Sequence, residues 1–166
     1  MTTLHVFSDW LAGTPVSLLI QTTDWVIPAV QTVHILCIGV VISTALMIHL
    51  RSLGLAMKGH TGGALAARFL PWVWWALVIL LLSGAMLITA EPGRSLTNRV
   101  FQLKMLLLIL AISLTLLYQQ PLRKDPVYWE KTPTRRANAG IIAILSLILW
   151  TSIVFAGRWI AYAIGT

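Results

Sequence analysis

Residues 69–90 read FLPWVWWALVILLLSGAMLITA, a stretch without a single acidic, basic or histidine side chain. Crossing the hydrocarbon core of a bilayer, about 30 Å thick, takes roughly 20 consecutive apolar residues in a helix. The stretch therefore predicts a transmembrane helix rather than the core of a soluble domain. We expect Pro71, and Pro28 in an earlier apolar stretch, to lie in the first turns of their helices, where a missing N–H costs little.

Three further apolar stretches complete the predicted fold. They run from about 26 to 50, 100 to 118 and 139 to 164. The 166 residues are 58% apolar and only 10% charged, whereas a soluble domain has about 25% charged residues. The sequence thus predicts an all-α fold, an integral membrane four-helix bundle, with residues 1–166 forming a single transmembrane domain.

The basic residues indicate how the bundle is oriented. The net charge is +7, and eight of the twelve Lys and Arg residues lie in the connections between helices one and two and between helices three and four. The positive-inside rule places both connections in the cytoplasm and both termini outside it (N-out/C-out). For a bacterial inner membrane, both termini are then periplasmic. Anionic lipid headgroups account for the basic charge, so the expected partner is the lipid bilayer and no nucleic acid. The eight residues are Arg51, Lys58, Arg68, Arg123, Lys124, Lys131, Arg135 and Arg136.

The segment 4–20 precedes the first predicted span and is too short to cross a bilayer. Gly13 and Pro15 interrupt it, and apolar residues such as Trp10 alternate with polar ones. The pattern favours a short interfacial helix on the outer membrane face, and a disordered tail is the alternative. Most tryptophans lie near predicted helix ends, which is typical of an interfacial aromatic belt, but Trp150 is expected in mid-span.

His34 is the first candidate site residue, because ionisable groups inside a membrane are costly and often functional. It lies roughly 12 Å below the outer surface at about 1.5 Å per residue, on one helix face with Gln31 and Cys37. One interpretation makes His34 a metal or cofactor ligand. The other makes it a buried histidine that hydrogen-bonds to a neighbouring helix. His49, at the cytoplasmic end of the same helix, is expected to be a solvated interfacial histidine.

Lys104 is the second candidate, in the first turns of the third helix. Its ammonium group either extends to the headgroups or faces the bundle at the level of His34. In the second case Lys104 would pair with a cofactor carboxylate, such as a haem propionate. Glu91, Arg94 and Arg99 in the adjoining connection would complete an outward-facing polar site.

Haem b and copper are the cofactors that these residue types suggest. Helices two, three and four contain no histidine, and His34 and His49 are too far apart to ligate one iron. Haem would therefore need His34 alone, His34 with Lys104 or Met86, or a homodimer. Soft ligands for Cu(I) are present but have no diagnostic spacing. They are His34, Cys37, Met47, Met86 and Met105. No phosphate-binding loop or nucleophile elbow is found.

Four segments carry a family resemblance. They are WLAGTPVS through WVIPAVQTVHIL in 10–36, HLRSLG in 49–54, RFLPWVWW in 68–75 and FQLKM in 101–105. Across nearly its whole length the chain resembles a family of small four-helix bacterial inner-membrane proteins classed as a domain of unknown function.

That resemblance implies the fold and the location but no activity. His34, Arg51 and Lys104 match its pattern, and on this basis they are the residues assigned to cofactor binding, with His34 as the metal ligand. The layout is more distantly similar to copper-resistance D-like membrane domains. It is also similar to the haem-containing bacterial protoporphyrinogen oxidase, which pairs a helix-one histidine with a helix-three lysine. Tyr118 and Gln119 stand where that oxidase family tends to have a histidine.

Three functional hypotheses follow. The first is a membrane protein that binds haem b or copper for electron or metal handling. The second is a non-catalytic membrane subunit or transport accessory protein that works with a membrane-complex partner. The third is a membrane oxidase acting on a porphyrin-like substrate. Whether the chain is an enzyme stays open at this point.

Overall fold

Four long apolar helices dominate the computed structural model, which describes residues 3–160 and 162. They are α3 (Val26–Ser52), α4 (Gly62–Ala90), α6 (Arg99–Lys124) and α7 (Pro133–Trp159). Each is long and apolar enough to cross a membrane, so the prediction of an all-helical four-span membrane protein is confirmed. The described residues add the short helices α1 (Thr3–Ala12), α2 (Pro15–Thr22) and α5 (Pro92–Leu96), with one 3-10 turn at Tyr128–Glu130.

Polar capping residues set the starts of three spans. The side chain of Thr61 accepts a hydrogen bond from the N–H of Ala64, that of Asn98 from Val100, and that of Thr132 from Arg135. Such caps satisfy N–H groups that have no partner within the helix. The spans therefore begin where a cap is available, and they extend beyond the apolar stretches.

The starts of α4 and α7 differ from the predicted ones because each helix begins at its capping residue rather than at its apolar stretch. Helix α4 begins seven residues before the predicted start at 69, and α7 begins at Pro133 rather than at 139. Helix α6 continues beyond 118 to Lys124. The predicted end at 164 lies outside the described residues. The expectation for Pro71 was wrong, because this proline lies inside α4, where its ring removes one backbone hydrogen bond.

The four spans form a bundle in which α3 packs against α4 and α7, and α6 packs mainly against α7. Small residues line these contacts, including the fully buried Ala111 and Ala143, which allow close approach of helices in membranes. Outward-facing residues are large and apolar, such as Leu81 and Ile109. A bundle with an apolar outside is suited to lipid rather than water. We call the end that carries α1, α2 and α5 the hairpin end, and the end that carries connections 53–61 and 125–132 the basic-loop end.

The amino-terminal segment is folded against the hairpin end. Helix α1 packs on α5, and α2 packs on α4. The hydroxyl of Ser17 is buried and donates a hydrogen bond of 2.6 Å to the carbonyl oxygen of Thr89 at the end of α4. Segment 4–20 is therefore helical rather than a disordered tail, and its position on the membrane surface stays a prediction.

The connection 125–132 packs directly on the start of α4 and on α6. The N–H of Gly63 donates to the carbonyl oxygen of Pro126 at 3.0 Å. A Cβ atom at position 63 would lie 2.2 Å from that oxygen, so only glycine fits. The side chain of Trp129 donates to the carbonyl oxygen of Tyr118 and stacks on its ring. These contacts close the basic-loop end of the bundle.

Candidate functional site

His34 lies in the third turn of α3 and is half-buried against α4. Its Nδ1 atom is 2.8 Å from the hydroxyl oxygen of Ser83. The same hydroxyl donates a 2.7 Å hydrogen bond to the carbonyl oxygen of Ile79. Because a serine hydroxyl has one hydrogen, both contacts are satisfied when His34 Nδ1–H donates to Ser83. In the neutral ring the proton then sits on Nδ1, and Nε2 keeps a free lone pair.

Two glycines make room for the site's side chains. A Cβ atom built at Gly84 would lie 3.7 Å from Cε1 of His34, and one built at Gly157 would lie 3.4 Å from Nζ of Lys104. The imidazole therefore rests on α4 beside Gly84, and the ammonium group reaches from α6 to the backbone of α7. All four spans thus contribute residues to one polar region near the hairpin end.

Lys104 is partly buried and does not extend away from the bundle. In the described part of the chain, no carboxylate lies within ion-pairing distance of its Nζ atom. An ammonium group among apolar helices is costly without a partner. The structure therefore directs the Lys104 ammonium group towards α7 at the level of Gly157 and leaves it without a carboxylate partner among the described residues.

Arg51 lies at the opposite end of α3, seventeen residues from His34, or about 25 Å along the helix. One of its guanidinium nitrogens, Nη2, is 3.1 Å from Oε1 of Glu130. That carboxylate oxygen also accepts a 2.8 Å hydrogen bond from the N–H of Gly62. The structure does not bring Arg51 together with His34 and Lys104. Its contacts instead join the end of α3 to both connections at the basic-loop end.

His49 is buried, with 5% of its surface exposed, so the expectation of a solvated interfacial histidine was wrong. Its Nε2 atom is 2.8 Å from the hydroxyl oxygen of Ser146 in α7, and its ring meets the edge of the Tyr118 ring. Fifteen helical steps of 100° place His49 only about 60° around α3 from His34. That angular relation is the sequence signal that could have predicted an inward-facing His49.

A metal site needs donor side chains that converge on one point. No group of three or more His, Cys, Asp or Glu side chains within residues 3–160 and 162 could hold a metal ion. Of the soft side chains, Cys37 packs against the apolar core, and Met86 lies on an exposed surface.

Haem b fits this site only in part. His34 Nε2 is suited to one axial bond, and Lys104 is suited to a propionate. The hydrogen bond from Nδ1–H to Ser83 is of the kind that orients ligating histidines. The two cavities described for the bundle have neither His34 nor Lys104 in their walls.

The fold and the site together define a small four-span membrane protein with a polar site embedded among apolar helices. Its family follows from the sequence: the Family of unknown function (DUF6644) matches residues 7–163, and the chain belongs to it. The resemblance to a small membrane family of unknown function is confirmed. No curated protein and no solved structure matches the chain.

Proposed function

We propose that this chain is a ligand-binding membrane protein whose site, formed by His34, Ser83 and Lys104, binds an amphipathic molecule with an acidic group. The observation that carries this proposal is the Lys104 ammonium group, partly buried beside His34 and without a carboxylate partner among the described residues. A charge among apolar helices is stabilised by an opposite charge. A carboxylate or phosphate group on the ligand would supply it.

His34 gives the site its second contact. With Nδ1–H directed to Ser83, the Nε2 lone pair is available to accept a hydrogen bond or to bind a metal ion. A ligand that contacts both His34 and Lys104 would carry a hydrogen-bond donor or a metal centre close to an acidic group. The apolar exteriors of α3 and α6 would bind the rest of such a molecule.

Haem b is the cofactor that best fits this class. His34 would be its axial ligand and Lys104 would pair with a propionate. Bound haem would supply one-electron transfer, which is the electron-handling role. Copper is disfavoured by the donor set. Oxidation of a porphyrin-like substrate would use the same site.

The distribution of basic residues supports a site that opens away from the cytoplasm. Eight of the twelve Lys and Arg residues lie in or close to the two connections at the end opposite to His34 and Lys104. By the positive-inside rule the hairpin end would then face the periplasm of a bacterial inner membrane. We propose this location for both termini and for the ligand site.

A non-catalytic subunit is the second candidate function, and the surface of α6 favours it. This helix is the least buried of the four spans, and its contact with α4 is slight. A helix from a membrane-complex partner or a second copy would cover the exposed residues Leu103, Leu106 and Leu110. Under this function a partner protein co-purifies, and His34→Ala lowers stability without removing any bound small molecule.

The test is an absorption spectrum, with metal analysis, of protein purified from bacterial membranes in mild detergent. Haem binding predicts a Soret band that shifts on reduction, is lost in His34→Ala and is retained in His60→Ala, whose side chain is exposed in the connection 53–61. A bound organic acid without haem predicts a colourless sample whose ligand is lost with His34→Ala. Folded protein without any bound small molecule would contradict the ligand-binding proposal and favour the subunit function.

A further inference from the structure

A small cavity lies inside the bundle near the basic-loop end, apart from the His34 site. Its volume is ≈ 20 Å³, which is enough for one water molecule. Most of its wall is apolar and comes from all four spans, with Val41 of α3, Val73 of α4 and Trp150 of α7 among its residues. A wholly apolar cavity of this size would stay dry.

The wall of this cavity also contains a polar group that lacks a partner. His49 lines the cavity, is 5% exposed, and uses Nε2 for its 2.8 Å contact with Ser146. Its Nδ1 atom is buried and has no hydrogen-bond partner among the described residues. A buried ring nitrogen without a partner is destabilising in either tautomer.

We infer that the cavity is a binding site for a single water molecule that hydrogen-bonds to Nδ1 of His49. Water both donates and accepts, so it satisfies Nδ1 whichever tautomer Ser146 selects. Buried waters generally make about three hydrogen bonds, and the cavity wall offers two further polar residues. They are Thr115 and Tyr118.

Both of these residues keep hydrogen-bonding capacity for a water molecule. The Thr115 hydroxyl donates to the carbonyl oxygen of Ala111 at 2.8 Å, which leaves its oxygen lone pairs as acceptors. The Tyr118 hydroxyl shares one hydrogen bond with the Ser52 hydroxyl and keeps a second site. The water would therefore join His49 of α3 to α6 in the interior of the bundle.

The direct test is solid-state NMR of the full chain in lipid bilayers, with ¹⁵N-labelled histidine. Transfer of magnetisation from water protons to Nδ1 of His49 is measured, and the resonance is assigned by its loss in His49→Gln. We expect transfer to this buried nitrogen as well as to the exposed histidines His5 and His60. Absence of transfer to Nδ1 of His49 in the wild-type chain would overturn the inference.

A matched pair of variants gives a second readout, the melting temperature. Val41→Ile adds one methylene to a cavity-lining residue that is 1% exposed, and Val40→Ile adds the same group to an outward-facing residue that is 40% exposed. Displacing a bound water leaves His49 unpaired, so Val41→Ile should lower the melting temperature by about 2–4 °C and abolish the NMR transfer. Filling a dry cavity would instead raise the melting temperature, which contradicts the inference. Val40→Ile should leave both readouts unchanged. If Val41→Ile does not fold, the wild-type NMR measurement decides.

Discussion

His34 and His49 make the same contact near opposite ends of α3, since each places a ring nitrogen 2.8 Å from a serine hydroxyl on a neighbouring helix. Their surroundings differ. His49 is buried and makes an edge-to-face contact with the Tyr118 ring, whereas His34 is only half-buried. Each ring keeps a second nitrogen, which lies beside an internal cavity in His49 and in a more open site in His34.

The charged residues show the same contrast. At the basic-loop end, Arg51 and Glu130 pair at 3.1 Å, and the carboxylate also binds the N–H of Gly62. At the hairpin end, Lys104 has no carboxylate partner in the described part of the chain. The ion pair at the basic-loop end has a structural role, and under the proposed function the ammonium group at the hairpin end would pair with the acidic group of a ligand.

The largest expected effect is a loss of stability from a substitution at the basic-loop end. In Gly63→Ala the new Cβ atom would lie 2.2 Å from the Pro126 carbonyl oxygen, a backbone atom that cannot move without separating the connection 125–132 from α4. We expect the free energy of unfolding to fall by about 3 kcal/mol. The measurement is reversible unfolding in detergent.

Gly62→Ala is the matched control for this change. Its Cβ atom would lie 3.3 Å from the Tyr118 hydroxyl, a side-chain atom that can shift, so the cost should stay below about 1 kcal/mol. Equal losses for the two variants would mean that Gly63 is not held against Pro126.

A smaller effect is expected at the hairpin end. Ser83→Ala leaves Nδ1–H of His34 without its acceptor, which should cost about 1–2 kcal/mol of stability. If His34 binds a metal centre, ligand affinity should also fall about 10–100-fold. Binding titration and unfolding of the same preparation measure the two effects.

The control is Ser113→Ala, because the Ser113 hydroxyl is exposed and bonds only within its own helix. A Ser83→Ala protein that matched this control in both measurements would rule out Ser83 as the residue that orients His34.

The charge of Glu130 should contribute about 1 kcal/mol to the free energy of unfolding. Glu130→Gln retains an oxygen acceptor for the Gly62 N–H but removes the ion pair with Arg51, whose side chain is 19% exposed. Asp24→Asn, at an exposed position, provides the comparison. We expect the Glu130 variant alone to lose stability, and ligand binding at the other end to be unchanged in both. Loss of the ligand in Glu130→Gln would show that ligand binding at the hairpin end depends on the ion pair at the basic-loop end.

The smallest effect concerns pH. Lys131, which pairs with Asp125 in the connection 125–132, lowers the pKa of that carboxyl group from its ordinary value. A lowered folded-state pKa contributes stability above the unfolded pKa, about 3.9, and that contribution is lost as the pH falls through the folded-state pKa. Stability should therefore decline slightly below about pH 4. The measurement is the free energy of unfolding as a function of pH, and this part of the decline should be absent in Asp125→Asn. The same dependence of stability on pH in the variant would refute the stabilising role of the Lys131–Asp125 pair.

The spans were predictable because hydropathy alone identifies segments that require lipid. Their exact bounds were not, because Thr61 and Thr132 begin helices in polar sequence and Pro71 is tolerated inside α4. Capping is a local hydrogen-bonding effect that a hydropathy pattern does not contain.

The site was predictable only in its components. The depth of His34 and Lys104 followed from their positions along their helices, so their common level could be anticipated. The partner Ser83 could not, since one sequence does not reveal how α4 is rotated about its axis relative to α3. Arg51 was grouped with His34 by family pattern alone, although seventeen residues of one helix already separate the two side chains by about 25 Å.

The most direct test of the central claim is a native mass spectrum of the protein released from detergent micelles, recorded for wild type, Lys104→Met and Lys58→Met. Lys58 is exposed in the connection 53–61 and serves as the matched lysine. The account predicts an added mass, from a molecule with an acidic group, on the wild type and on Lys58→Met, and its loss from Lys104→Met. The same added mass on all three proteins, or on none, would contradict a ligand site at His34 and Lys104.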